Sequence, residues 1–329
     1  MKSARDIPLY PLRFVPIYKN YIWGGSRLRT LFKRQIPDEL ECVAESWDIT
    51  DLPQDISIIA NGELCGISLN EIVSLRTVEL LGEDSVKRFP IMLKYLDAKS
   101  TLSIQVHPDD NLAEEMQLEY QGKSEAWVVV ESDNDSVVWI GVNGEYSNEQ
   151  LKRLILDGGI ESVMNRIEVK CGDCFYIPPG TIHALGAGVM VAEIQQPSNT
   201  TFRVFDWNRI DQNGQHRQLH KSEAIRALRT NNLLINPVIP QKTDLSICEL
   251  LIVDINFLLY RWTLEQQIEI NSNGRCSIWT VLSGSAKIGQ EILNRGDSIL
   301  IPATQKKIVW TPIDKLVILG EVTRVAVSG

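Results

Sequence analysis

The 329-residue chain has no run of about 18 apolar residues, which excludes a membrane-spanning helix. Its first residues, MKSARDIPLYPLRF, have no long apolar core and no small-residue cleavage pattern, so no secretory leader is expected there. Positive charge is in short supply. Against 42 Asp and Glu stand 33 Lys and Arg, and the net charge of −9 argues against nucleic acid or an anionic membrane as partner. An anionic small molecule would need basic side chains gathered locally against that field. No glycine-rich phosphate loop is visible, so a phosphate would be held by side chains. Cysteine is sparse, and its six copies are scattered except for CGDC at Cys171–Cys174. No second CxxC exists and the motif leads into a strand, so a turn is expected there, with reduced thiols and a cytoplasmic location. Histidine is scarcer still: four copies, of which His216 and His220 in GQHRQLH are expected to be exposed.

With 44% hydrophobic and 23% charged residues, the chain is expected to fold, and its length allows two domains. One internal echo organises it. CGDCFYIPPGTIHAL from Cys171 and RGDSILIPATQKKIV from Arg295 both read Gly-Asp, three residues, Ile-Pro, then a second short strand. Upstream, GKSEAWVVVES from Gly122 matches GRCSIWTVLSG from Gly274, with Trp127 against Trp279. Two landmarks in the same order predict a duplicated β unit, and short strands between Gly, Pro and Asn/Asp turns predict sandwiches or barrels. Glu125 of the first copy aligns with Ser277 of the second, and His183 with Lys307, so the second copy lacks both residues able to bind a cation. Helices are expected from Ser68 (with Glu71 at capping-box spacing), after Asp109 and Asp110, from Ser147 and from His220. They would cover barrel ends or the join between halves. The segment 231–244 is the candidate boundary, giving domains 1–235 and 236–329. Trp127, Trp139, Trp207 and Trp279 read as core or interface aromatics.

The stretch LSIQVHPDD carries the chemistry. Side chains alternate along a strand, so Leu102, Ile104 and Val106 face one way while Ser103, Gln105 and His107 face the other. Glu125 lies on a second strand, and His183 follows the turn IPPG. Two imidazoles, a carboxylate and a neutral amide oxygen suit a divalent ion and leave room for water or substrate. Lys94 is the odd residue in the apolar run PIMLKYL. Its burial would be costly unless its charge is paired, so either an anion site or an edge position with the amine in water would explain it. Arg203 and Arg209 flank VFDWN and offer guanidinium forks for a phosphate.

Several of these segments, namely FPIMLKYLDAKSTLSIQVHPDD, GKSEAW, YIPPGTIHAL, EIQQPSNTTFRVFDW and the earlier YIWGG and AESWDIT, resemble the type I mannose-6-phosphate isomerase family in its short bacterial form. The resemblance runs from about residue 10 to 210. It implies a mainly β fold of two cupin (jelly-roll) barrels with helical insertions, the second barrel degenerate and without metal ligands. It implies one zinc ion per chain and interconversion of mannose 6-phosphate and fructose 6-phosphate. A monomer or homodimer is expected. Carried over by residue, it makes Gln105, His107, Glu125 and His183 the zinc ligands and Arg203 the active-site arginine, with Lys123 and Glu193 in the same pocket. Ser103, Lys94 and Arg209 are the candidates for holding the sugar phosphate. Isomerisation moves a proton between C1 and C2 through an enediol, which needs positive charge near the developing oxyanion and a base within reach. Glu193, Lys123 and a zinc-bound water are the candidate bases. Two other functions fit a barrel with these ligands: a metal-dependent oxygenase, and a non-catalytic sugar-phosphate sensor.

Overall fold

Each half of the chain turns on the same Gly-Asp pair. In the computed structural model, which describes residues 4–40, 42–82, 88–210, 214–229 and 235–323, Gly172 has φ 91° and Gly296 has φ 85°. A side chain with a Cβ strains at such φ, so the turn favours glycine there. The following Asp side chain locks each turn: Asp173 accepts from the Lys170 N–H at 2.9 Å, and Asp297 from the Asn294 N–H at 2.8 Å. Gly172 and Gly296 then donate to Val129 and Val281 at 2.8 Å each, which starts the pairing of the strands on either side. Cys174–Ile177 pairs with Glu125–Ser132, and Ser298–Ile301 pairs with Ser277–Ser283. Ile177 stands opposite Glu125 as Ile301 stands opposite Ser277, so the echo in the sequence is an echo in register.

The molecule is mainly β, and the pairings between its named strands are antiparallel. One six-stranded sheet runs in the order Ile17–Lys19, Glu45–Ile49, Met92–Ala98, Val189–Gln195, Glu125–Ser132, Cys174–Ile177. A five-stranded sheet runs Phe202–Phe205, Ile104–Val106, His183–Leu185, Val137–Val142, Met164–Glu168. In the second half, a six-stranded sheet runs Gln241–Lys242, Cys248–Val253, Phe257–Leu264, Leu316–Thr323, Ser277–Ser283, Ser298–Ile301. A four-stranded sheet runs Ile268–Asn271, Lys307–Pro312, Ser285–Ile288, Glu291–Asn294. The strands from Met92 to Gln195 and those from Phe257 to Thr323 thus follow one another and pair in the same pattern. Residues 231–234 of the expected boundary lie outside the described residues.

The largest apolar core lies between the halves. It joins Leu12, Phe14, Tyr95, Val128 and Val130 to Leu251, Phe257, Cys276, Ile278 and Leu300. Leu12 and Leu300 also bond backbone to backbone, and the Arg34 guanidinium grips both Asp48 oxygens while donating to the Gly296 carbonyl. The expected helices form where their caps place them. Leu69–Leu81 starts at Ser68, whose side chain accepts from the Glu71 N–H. Asn148–Asp157 starts in a full capping box of Ser147 and Gln150. Asp110–Glu115 starts at Asp109, whose carboxylate accepts from the Leu112 N–H. Lys221–Ala227 follows His220 and packs on the five-stranded sheet with Asn148–Asp157. The CGDC pair is a turn with free thiols, Cys171 exposed and Cys174 buried.

Candidate metal centre

The site lies between the six- and five-stranded sheets of the first half. One row of directly paired residues crosses the six-stranded sheet: Trp47, Lys94, Glu193, Trp127, Phe175. Directly opposed residues share a face, so this row carries two charges between aromatic rings on one face of the sheet. One row along, Gln195 stands opposite Glu125. From the facing sheet come His183 and Gln105, paired with each other, and Arg203, paired with Gln105. His107 follows the strand end at Val106.

Among the described residues, His107, Glu125 and His183 are the trio whose ligand atoms converge, all within 4.8 Å of one another and all buried. The Nδ1 of His107 faces the Thr200 carbonyl at 2.8 Å, and the Nδ1 of His183 faces the Thr181 carbonyl at 2.9 Å. A carbonyl can only accept, so both Nδ1 atoms carry the proton and both Nε2 atoms present lone pairs. Burial, with the Lys123 charge beside it, pushes His107 well below its usual value and keeps it neutral. Glu125 Oε1 lies 3.0 Å from His183 Nε2 and 3.7 Å from His107 Nε2, and it has no hydrogen-bond donor among the described residues. Three lone pairs therefore point at one another, a repulsive arrangement that a cation would reverse. The donor set of two imidazoles and one carboxylate is one that zinc accepts, with a further position open, so the residues fit such an ion. The amide of Gln105 completes the ring, its Nε2 placed 3.2 Å from His183 Nε2. A half-turn of that amide would present its oxygen instead.

A charge cluster surrounds the trio. Lys123 Nζ lies 2.5 Å from Glu125 Oε2, 3.3 Å from His107 Nε2 and 3.3 Å from Glu193 Oε1. Burial alone would raise the Glu125 carboxyl, but the Lys123 ammonium beside it holds it well below the usual carboxylate range. Glu193 Oε1 pairs with Lys94 at 3.0 Å, while Glu193 Oε2 accepts from Trp127 Nε1 at 2.8 Å. Lys94 also faces Glu45 at 3.5 Å, and Glu45 accepts from Trp47 Nε1 at 2.7 Å. Burial disfavours the Lys94 ammonium, yet Glu193 and Glu45 raise its proton affinity above the ordinary lysine value. Three carboxylates against two ammonium groups leave this cluster at −1, which a divalent ion would turn to +1.

The expected residues separate into two places. Ser103, Gln105, Lys94, Lys123, Glu193 and Arg203 line one pocket. Arg209 does not. Its guanidinium is taken up by Asp206 and by the Thr101 carbonyl at 2.6 Å, and it lines a neighbouring recess. Lys94 is neither at an edge nor in water: it sits on a central strand with its amine buried. His220, expected to be exposed, is half-buried, and its Nδ1 accepts from the Arg203 backbone N–H at 3.3 Å. The sequence reading missed Glu45, Tyr21 and Arg217, which line the same pocket. Glu45 could have been found by alternation, since it lies two residues from Trp47 on one strand. Arg217, in an irregular segment, had no such signal.

In the second half the same register positions carry no charge. Ser277 replaces Glu125, Tyr260 replaces Lys94, and Gly320 replaces Glu193. Trp279 Nε1, lacking a carboxylate, donates to Ser277 Oγ at 2.8 Å. A cavity of about 580 Å³ is left there, lined by Tyr260, Trp262, Trp279 and Ile308 among others. Lys307 lies on the surface, paired with Glu269 at 2.7 Å.

Comparison with known proteins bears on this site. The family model described as phosphomannose isomerase type I, catalytic domain, matches residues 12–150. That span ends before His183 and Arg203, but similarity to whole relatives continues past them. The chain is 35% identical over 293 residues to the mannose-6-phosphate isomerase of Streptococcus mutans, covering 87% of this chain and 90% of the relative. It is 31% identical over 303 residues to mannose-6-phosphate isomerase ManA of Bacillus subtilis, covering 89% and 93%. A crystal structure of the mannose 6-phosphate isomerase from Bacillus subtilis superposes with a TM-score of 0.86 at 30% identity, covering 94% of this chain and 99% of that one. With the fold, the buried trio and these relatives in agreement, the chain belongs to the type I phosphomannose isomerase family.

Proposed function

We propose that this chain interconverts mannose 6-phosphate and fructose 6-phosphate through an enediol, at one zinc ion held by His107, Glu125, His183 and Gln105. The observation that carries the reading is the bare Glu125 Oε1 facing two imidazole nitrogens whose other nitrogens are already committed to carbonyls. In the proposed architecture, residues 1–235 form a catalytic cupin barrel with helical insertions, and residues 236–329 form a second one whose site positions became uncharged.

When bound, the ion supplies Lewis-acid charge beside a sugar oxygen, the largest stabilising influence on an enediolate. The protein groups do the rest. Lys123 Nζ, held between Glu125 and Glu193, offers a second positive charge to the oxygen that becomes negative. Glu193 is the carboxylate we assign to proton transfer. It is not committed to the metal trio, and Trp127 Nε1, Lys94 and Lys123 fix both its oxygens in place. It takes the proton from one carbon and returns it to its neighbour, which requires one base to reach both carbons from one face. Arg203 faces the same pocket and adds positive charge at its rim. Arg209 acts at one remove. With Asp206 it closes the turn at Trp207 and Asn208, whose φ values are 56° and 53°, and so fixes the chain just past Arg203.

A coupled assay with mannose 6-phosphate, run before and after metal removal by a chelator, tests the proposal. Turnover should vanish on chelation and return with added zinc. Undiminished turnover in a metal-free sample, or none in a metal-replete one, would refute it.

A further inference from the structure

Resting on the sugar-phosphate reading above, the shape of the site asks where the phosphate goes. The pocket beside the metal trio has a volume of about 50 Å³. Beyond it lies a recess of about 250 Å³. Tyr21 and Arg217 line both spaces and form the wall between them. A ligand that reaches from the metal trio into that recess passes Tyr21 and Arg217.

Two unpartnered guanidinium groups meet there. Arg203 and Arg217 are both half-buried, and among the described residues neither guanidinium makes a hydrogen bond or an ion pair. They are near enough that, after burial, the Arg217 charge is the next influence lowering the Arg203 proton affinity. The neighbouring cations are all matched: Lys94 by Glu193, Lys123 by Glu125, and Arg209 by Asp206. Two like charges brought together, partly out of water and with no carboxylate in ion-pair contact among the described residues, repel each other, and an anion between them removes that repulsion. The guanidinium fork suits the oxygens of a phosphate dianion.

We propose that Arg217 completes, with Arg203, a two-guanidinium clamp on the phosphate of the sugar phosphate, and that this clamp selects the phosphorylated sugar over the free one. Arg217 comes from the segment after the isolated bridge between Ile210 and His216, outside the stretches in which the family resemblance was read. Tyr21 is close to Arg217, Arg203, Lys94 and Glu45.

The test measures binding of inorganic phosphate to the metal-loaded protein by calorimetry, alongside the kinetics of mannose 6-phosphate, for wild type, Arg217→Ala and Arg217→Lys. In Arg217→Ala, phosphate affinity should fall by about tenfold to a hundredfold, the range of one lost charge-assisted hydrogen bond. KM for mannose 6-phosphate should rise by a similar factor, with kcat within about threefold, and Arg217→Lys should recover part of both. Melting temperature and bound metal should stay unchanged. Phosphate affinity and KM within twofold of wild type in Arg217→Ala would overturn the clamp, as would a lowered melting temperature with unaltered phosphate binding. If wild type binds phosphate through Arg217 but does not isomerise the sugar, the clamp stands and the isomerase reading fails. If wild type isomerises and Arg217→Ala binds phosphate normally, the reverse holds.

Discussion

Glu321 is a carboxylate in a place that should not hold one, and its replacement by glutamine has a calculable signature. It is 2% exposed, and neither carboxylate oxygen has a hydrogen-bond partner among the described residues. On the strand Leu316–Thr323 it stands opposite Leu259 and Ile278, both in the apolar core between the halves. Burial pushes its carboxyl well above the usual range, so the folded protein holds a proton there that the unfolded chain, titrating near about 4.3, gives up. A raised folded-state value means that the stabilising contribution is complete below the unfolded value and is lost as pH rises toward the folded one. Glu321→Gln cannot ionise and keeps nearly the same shape. Its stability relative to wild type should therefore grow with pH, by up to about 1.4 kcal/mol per unit and up to about 2.7 kcal/mol between pH 5 and 7. Other titrating groups are common to both proteins and largely cancel. Urea unfolding of each protein at the two pH values measures the double difference. A value within about 0.5 kcal/mol of zero would mean that Glu321 is solvated or partnered, and that the core between the halves is not dry there.

Two further outcomes follow from the site. His183→Ala should weaken metal binding by at least about a hundredfold, since it removes a direct ligand where even a supporting group is worth about 10–100-fold. Lys307→Ala should leave metal content untouched, and equal loss in both, read by atomic absorption, would undo the correspondence drawn between the halves. Arg203→Ala should keep its melting temperature and lose turnover of mannose 6-phosphate by at least about a hundredfold. Near-normal activity would remove Arg203 from the mechanism.

Turns and caps were legible from local chemistry. Gly172 and Gly296 each carry a left-handed φ followed by an Asp that bonds back, while Ser68, Asp109 and Ser147 carry their own acceptor for a helix N-terminus. Alternation along Leu102–His107 put Gln105 and His107 on one face, and both lie at the candidate metal centre, Gln105 beside His183. Lys94 was harder because its strand, Met92–Ala98, is buried throughout and shows no polar face. Only the register, Lys94 opposite Glu193, supplies the partner that makes its burial tolerable. Arg203 and Arg209 looked equivalent in sequence. One lies opposite Gln105 on a strand and the other beyond a tight turn, and only the first reaches the pocket.

What the sequence determined by itself was every feature set within a few residues: where the chain turns, where helices begin, and which side chains share a strand face. What the tertiary structure alone decided was which charges meet. Pairing across strands remote in sequence chose the partners of Lys94 and Glu193 and left Glu321 among apolar neighbours, while the packing of an irregular segment brought Arg217 beside Arg203. A Coulomb interaction depends on distance in space, and strand register sets that distance where spacing along the chain does not.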